Sequence, residues 1–428
     1  MIPSSEFQNR RRKLLDLMDD DSILVAFSGV PKISSADEEL PFEVNRNFHY
    51  LTGISQQNSV LLLAKTMGET KEFLFILPFD ANKEKWYGKR LTPEEAREKS
   101  GLRNVLMVES FEGKVNNILN PSFQEFGDVR KIYLDLDREI KIAEATSTHE
   151  YAKTLKAVFP GLEVADFYPL VTTLRLRKSL AEVAELKSAI ASTKIGVAAV
   201  MAQAKPGVKE YELADTFLHT VNDDNGYEGL AFYTIMASGV HAACLHYPTP
   251  LDTLKSDQLL LMDLGARKDF YCADVSRTIP VSGKFTEEQK NLYRIVLGCN
   301  KMIAAMARPG LTIDDLQTAA VEYLASECLS LGLIAKKEDI SNYYFHCVSH
   351  FIGLDTHDPY LNPLDKAYKQ VPLEAGMVIS DEPGLYLKEQ GLGIRIEDDL
   401  LITATGCEVL TAGIPKEIAD LERILSRR

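Results

Sequence analysis

Over the first 170 residues, apolar positions come in short runs bounded by polar or turn-forming residues. "SILVAFSG", "NSVLLLAK", "EFLFILPF", "NVLMVES" and "KIYLDLD" are strand-length, and "TPEEAREKSG" between them has helical composition. The alternation predicts an α/β domain over residues 1–170. Beyond it the pattern lengthens. "RLRKSLAEVAELKSAIASTKIGVAAVMAQA" predicts a long amphipathic helix, stopped by Lys205-Pro206-Gly207. A second domain is expected over 175–428. Within it, "AKPGVKEYEL" (Ala204 to Leu213) and "ARPGLTIDDL" (Ala307 to Leu316) align without gaps, each following one helical stretch and opening another. Pro-Gly ends many helices, but the matching flanks predict a duplicated unit.

The apolar strands of this second domain end in acids. In "LLLMDLGARKDFYCADVSRTIP", Asp263 closes one run and Asp274 lies in the returning one, with Gly265 and "ARKDF" as the turn. A hairpin of that length lets the two carboxylates face each other. Like charges so placed repel, and a divalent cation between them removes the conflict. "VISDEPGLY" and "GIRIEDDLLIT" repeat the arrangement with Glu382 and Glu397. Asp381, beside Glu382, should point to the opposite face of its strand. Between the two hairpins "HCVSHFIGLDTHD" supplies His346, His350 and His357. A single such acid is more often a buried turn acceptor, and a single histidine a packing residue. Two acid-bearing hairpins with a histidine cluster between them point to a metal site.

Composition narrows the class. A chain of 428 residues exceeds one ordinary core. A net charge of -14, from 48 basic and 62 acidic residues, argues against nucleic acid or anionic membrane as partners. No apolar run reaches the roughly 18 residues of a membrane span, and the N-terminus lacks a signal-peptide core. Arg10, Arg11, Arg12 and Lys13 read as the solvated face of a first helix. All 6 cysteines follow residue 240 without a CxxC pair, so a reducing, cytoplasmic setting is expected. His49 and His149 stand apart from other ligand types and read as structural.

The set D-x10-D, H-x3-H-x6-H, E-P-G and I-R-I-E-D resembles the pita-bread metallopeptidases, which include methionine aminopeptidase, prolidase and aminopeptidase P. "NRNFHYLTG" and "KEKWYGKRL" are similar to the N-terminal domain of aminopeptidase P and prolidase. The resemblance implies an α/β N-terminal domain of the creatinase/aminopeptidase P type, controlling access and oligomerisation. It implies an α+β pita-bread catalytic domain with pseudo-twofold duplication behind it. Asp263, Asp274, His350, Glu382 and Glu397 would be the ligands of two divalent metals, with Asp274 and Glu397 bridging. The hard donor set favours Mn, with Zn, Co or Fe also able to fill it. A solvent molecule between the metals would attack the peptide carbonyl. His246 and His357 would face the substrate, His357 at the oxyanion. Glu382 would carry the proton to the leaving nitrogen, and His346 and Arg395 would shape the prolyl side.

The activity so implied is removal of an N-terminal residue preceding proline (Xaa-Pro aminopeptidase). Prolidase, acting on Xaa-Pro dipeptides, is the alternative, and the tail "GCEVLTAGIPKEIADLERIL" looks more like aminopeptidase P. A third reading is a non-enzymatic pita-bread binding module, but such members have lost ligands and all five are present here. The expected partners are proline-containing peptides and further copies of the chain, as a dimer or tetramer. Cys347 and Phe232-Tyr233-Thr234-Ile235 depart from the family's usual residues, which touches substrate range more than metal binding.

Overall fold

A computed structural model describes residues 2–120, 122, 125–136, 146–225, 229–359 and 369–427, so Asp137 of the expected strand "KIYLDLD" lies outside it. The chain divides into two compact units, Met1–Leu174 and Arg175–Arg428.

The first unit is built on one six-stranded mixed sheet. In spatial order its strands are Asn104–Met107, Glu69–Ile76, Val60–Thr66, Ser22–Phe27, Lys131–Leu134 and Glu163–Asp166. Val60–Thr66 runs antiparallel to both its neighbours, and the other pairings are parallel. The five sequence-predicted strands are all present. The sixth, Glu163–Asp166, has no fully buried position and so lacks the apolar alternation that marks the rest.

One sequence expectation fails here. Arg10 and Arg11 are buried, at 3% and 0% exposure, and only Arg12 and Lys13 of that cluster face solvent. Arg11 Nη1 donates to Leu51 O at 2.8 Å and to Ser100 O at 3.0 Å, and its Nε lies 3.3 Å from Glu72 Oε1. Ser100 ends the helix Pro93–Ser100 and Leu51 lies in the last turn of the helix Arg46–Thr52. Carbonyls of a last helical turn lack intrahelical donors and sit at the negative end of the dipole, so two helix ends together draw in a guanidinium. Arg10 stacks over Tyr50 at 4.2 Å and donates to its carbonyl.

The second unit contains two comparable halves. In the first, α1 (Leu180–Gln203) and α2 (Glu210–Asn225) precede β1 (Ile235–Ser238) and β2 (Leu259–Leu264). The short strands β3 (Arg267–Lys268) and β4 (Tyr271–Cys272) follow, then β5 (Val275–Pro280). The second half has α3 (Glu287–Met306), α4 (Ile313–Ser330), β6 (Val378–Asp381), β7 (Gly384–Leu387), β8 (Leu392–Arg395), β9 (Asp398–Ile402) and β10 (Cys407–Val409). The last helix, Ile418–Leu425, follows. Capping boxes start three of the four long helices: Ser179 with Glu182, Thr286 with Gln289, and Thr312 with Asp315.

The repeated Pro-Gly stops do the same job in both halves. Gly207 and Gly310 take φ of 92° and 89°, a region other residues rarely adopt. Gly207 N donates to Leu254 O and Gly310 N to Leu373 O, both at 2.9 Å. Leu254 and Leu373 return bonds to Val208 O and Leu311 O. Each half also carries a three-stranded sheet containing its acid-bearing hairpin, β5-β2-β1 in one and β6-β9-β10 in the other, with the third strand added beside β2 in the first half and beside β9 in the second. A continuous core joins the halves, including Val200, Phe217, Met262, Ile279, Ile303, Leu324, Ile379 and Leu400.

Candidate metal centre

Two twisted ribbons carry the acids. Strand β2 pairs with β5 so that Asp263 lies opposite Ser276, and β3 pairs with β4 in the same register. Asp274 therefore lies across from Gly265. The first two acids do not face each other directly, as the hairpin suggested, but sit diagonally on one face. A Cβ on Gly265 would collide with Ala273 O, so the strands close up there only around glycine. In the second ribbon β6 pairs with β9 and β7 with β8, again in one register, and this sets Glu382 directly opposite Glu397.

His350 comes from a loop held to β6 by the bridge Phe351–Ile379 and by Ser380 N bonded to His350 O. Its Nδ1 faces Phe351 O at 3.1 Å; since a carbonyl only accepts, the ring proton lies there. The bare Nε2 is then directed at Asp274 Oδ2 (3.4 Å), Glu382 Oε1 (3.5 Å) and Glu397 Oε1 (3.9 Å). Ligand atoms of Asp274, His350 and Glu397 all lie within 4.8 Å of one another. Asp263 joins through Arg395, whose Nη2 donates to Oδ2 at 2.6 Å, while Asp263 Oδ1 is buried without a hydrogen-bond partner.

Such a site repels itself unless a cation enters. Burial first, then Asp263, Asp399 and Glu382, hold the Asp274 carboxyl well above the usual range. Glu397 is raised by burial and then by Asp274, and Glu382 chiefly by burial. Arg395 is the one permanently charged cation among the described residues that line the cleft with these four carboxylates. An imidazole lone pair, an orphaned carboxylate oxygen and crowded acids fit a divalent metal with hard donors. Cys347 also lines the cleft, but burial pushes its thiol up and disfavours the thiolate a soft metal requires.

The cleft encloses about 1050 Å³. All nine residues singled out from sequence (His246, Asp263, Asp274, His346, His350, His357, Glu382, Arg395 and Glu397) line it, beside an apolar wall that includes Leu218, Phe232, Tyr233, Leu245 and Pro248. His357 packs edge-on to His350 at 4.3 Å between ring centres. His350, then burial, then His246 lower its pKa to about 3, so the ring is neutral at working pH. Burial likewise brings His346 to about 4. Its Nδ1 donates to Cys347 O at 2.8 Å, and its Nε2 accepts from Tyr386 OH at 2.8 Å. Arg395 Nη1 donates to the same hydroxyl at 3.1 Å and its Nε to Ser276 Oγ at 2.8 Å. Asp381 does turn to the opposite face, where Asn300 Nδ2 donates to it at 3.1 Å.

The sequence reading passed over four supporting residues. Ser276 Oγ donates to Glu397 Oε2 at 2.8 Å; Ser380 Oγ accepts from His350 N at 2.9 Å. Tyr386 bonds His346, and Asp399 Oδ2 accepts from Asp274 N at 3.3 Å. Each stands two or four residues along the strand from Asp274, Glu382 or Glu397. The period-two rule that places the acids on one face would also have found these.

Buried acids and a bare imidazole nitrogen at the bottom of a cleft, where two duplicated halves meet, define a metal-dependent enzyme. Residues 184–404 match the model of metallopeptidase family M24, and residues 7–125 that of the aminopeptidase P N-terminal domain. The chain belongs to metallopeptidase family M24 and is a metallo-aminopeptidase with the pita-bread fold. It is 31% identical over 442 residues to the Xaa-Pro aminopeptidase of Haemophilus influenzae, covering 99% of this chain and 98% of that one. A Bacillus anthracis structure assigned to aminopeptidase P superposes with a TM-score of 0.95 at 39% identity, covering 100% and 99% of the two chains. Escherichia coli aminopeptidase P with the inhibitor Pro-Leu gives 0.89 at 30% identity, with the same coverage.

Proposed function

We propose that the chain is an Xaa-Pro aminopeptidase that works with two divalent cations, Mn foremost. Asp263, Asp274, His350, Glu382 and Glu397 would hold them, Asp274 and Glu397 to both, Asp263 to one and His350 with Glu382 to the other. The observation that carries this reading is the bare His350 Nε2 aimed at Asp274, Glu382 and Glu397 at 3.4–3.9 Å. The Pro-Leu inhibitor of the Escherichia coli relative supports a prolyl residue in the same cleft.

When bound, the cations supply Lewis acidity and a nucleophilic water of lowered pKa. The remaining steps fall to side chains. Glu382, with its pKa raised by burial, accepts the proton of the attacking water and returns it to the proline nitrogen, which leaves only when protonated. Neutral His357 donates a hydrogen bond to the carbonyl oxygen as charge develops there. His246 lines the same cleft and faces the substrate there. His346, held between Cys347 O and Tyr386, and Arg395 border the prolyl side. The N-terminal domain limits access and joins copies into a dimer or tetramer, which light scattering of the purified protein tests.

Hydrolysis of an Xaa-Pro-Yaa tripeptide beside the Xaa-Pro dipeptide, with added Mn, is the deciding experiment. Tripeptide preference is expected. Dipeptide preference would make the chain a prolidase. Absence of both hydrolysis and bound metal would make it a binding module.

A further inference from the structure

His350 and His357 sit on one loop, and nothing among the described residues hydrogen-bonds the His357 ring. The backbone must therefore aim it. The next residue, Asp358, is the fixed point: its side chain is 2% exposed, between Arg175 at 4% and Lys178 at 1%. Arg175 Nη2 pairs with Oδ1, and Lys178 Nζ lies 3.2 Å from Oδ2 and donates to the Asp358 carbonyl at 3.4 Å. Asp358 N closes the loop on Phe351 O at 2.8 Å. Gly353 folds against the carboxylate so tightly that a Cβ would overlap both Asp358 Oδ2 and Lys178 Cε. The carbonyl of Gly353 accepts from Cys272 N at 2.8 Å, two residues before Asp274, which ties the loop to the first ribbon.

Arg175 Nη2 also reaches Asp355 Oδ2 at 2.9 Å, at the half-exposed edge of the cluster. Burying such charges carries a large desolvation cost, and apolar residues of equal volume would hold the fold about as well. What the cluster contributes is a direction. Two cations approaching one carboxylate from different sides permit a single placement of Asp358, and that sets where the Cα–Cβ bond of His357 points. We propose that Arg175 and Lys178 are positioning residues, which act through Asp358 to hold His357 over the reacting carbonyl. The proposal rests on the reading of His357 as the oxyanion donor.

Lys178→Met tests it, because this change keeps side-chain length and leaves Arg175 paired with Asp358. The measurements are kcat and KM on an Xaa-Pro-Yaa tripeptide with Mn, bound-metal stoichiometry and Tm, each in wild-type and His357→Ala backgrounds. Lys178→Met alone should lower kcat about ten- to a hundredfold, as small misplacements do, with KM and bound metal unchanged. In the His357→Ala background it should lower kcat no further. Losses that multiply, or a drop in Tm with kcat intact, would overturn the positioning role. If His357→Ala alone leaves kcat unchanged, the oxyanion assignment fails and this proposal falls with it. Should Lys178→Met not fold, the milder Arg175→Lys is read in the same cycle.

Discussion

Asp274→Asn should make the metal-free protein more stable while ending its activity. The substitution keeps shape and removes one charge from a side chain only 7% exposed. Ligand atoms of Asp274 and Glu397 lie within 4.8 Å, where two unit charges repel by about 3 kcal/mol at an effective dielectric near 20. Without metal, the raised pKa values mean the acids already share protons, which trims the gain to roughly 1–3 kcal/mol. For a domain of this size that corresponds to a rise in Tm of about 2–12 °C.

The sign of the pH dependence follows from the same shifts. Carboxyls raised in the folded state keep protons that the unfolded chain releases above about pH 4. Stability of the metal-free wild type therefore falls as pH rises from there towards the folded-state values. The variant should show a flatter profile. Scanning calorimetry in EDTA and in excess Mn reads both effects. The wild type should gain strongly from metal through mass action, and the variant little. A variant less stable than wild type in EDTA, or one with an equal metal-induced gain, would refute the argument that these acids conflict until a cation joins them.

Three other substitutions probe separate parts. His357→Ala should lower kcat about 10²–10³-fold with bound metal unchanged, since it removes a donor and no ligand; loss of metal on elemental analysis would contradict this. Arg277→Met should cost about 3–5 kcal/mol, because it leaves Asp398, held well below its usual range first by Arg277 and then by Lys416, without its guanidinium, along with the carbonyls of Glu397, Ile414 and Pro415. Denaturant unfolding measures that loss. Arg11→Met should cost roughly 2–4 kcal/mol by stripping donors from two helix ends, read as unfolding at lower denaturant concentration with bound metal unchanged.

Sequence periodicity carried the site because acids at strand ends interrupt apolar runs visibly, and because the ribbons keep one register through their short inner strands. It carried the duplication because two glycines at φ near 90° leave a local Pro-Gly mark. Where it failed, the determinant was remote. Nothing near Arg10 and Arg11 announces that carbonyls of Tyr50, Leu51 and Ser100 will meet them, so a basic run looks solvated. The diagonal placement of Asp263 and Asp274 depends on where pairing starts around Gly265, which spacing alone does not fix. The strand Glu163–Asp166 lies at a sheet edge with no core-facing signal.

The bonds around the acids explain why the site and the duplication belong together. Asp263, from the first half, is held by Arg395 of the second, and Glu397, from the second, by Ser276 of the first. Asp274 N donates to Asp399, and Glu397 N to Ser276 O at 3.0 Å. Arg277 leaves the first half and places its donors on Glu397 O, Asp398, Ile414 O and Pro415 O. Neither half satisfies its own buried polar groups: alone, each would expose an apolar sheet and retain carboxylates stripped of their donors. A fragment 175–284 or 285–428 should therefore not fold cooperatively, whereas the two mixed with Mn should recover part of the metal-bound structure. A cooperatively folding single half, seen by calorimetry, would mean that the acids do not depend on the opposite half.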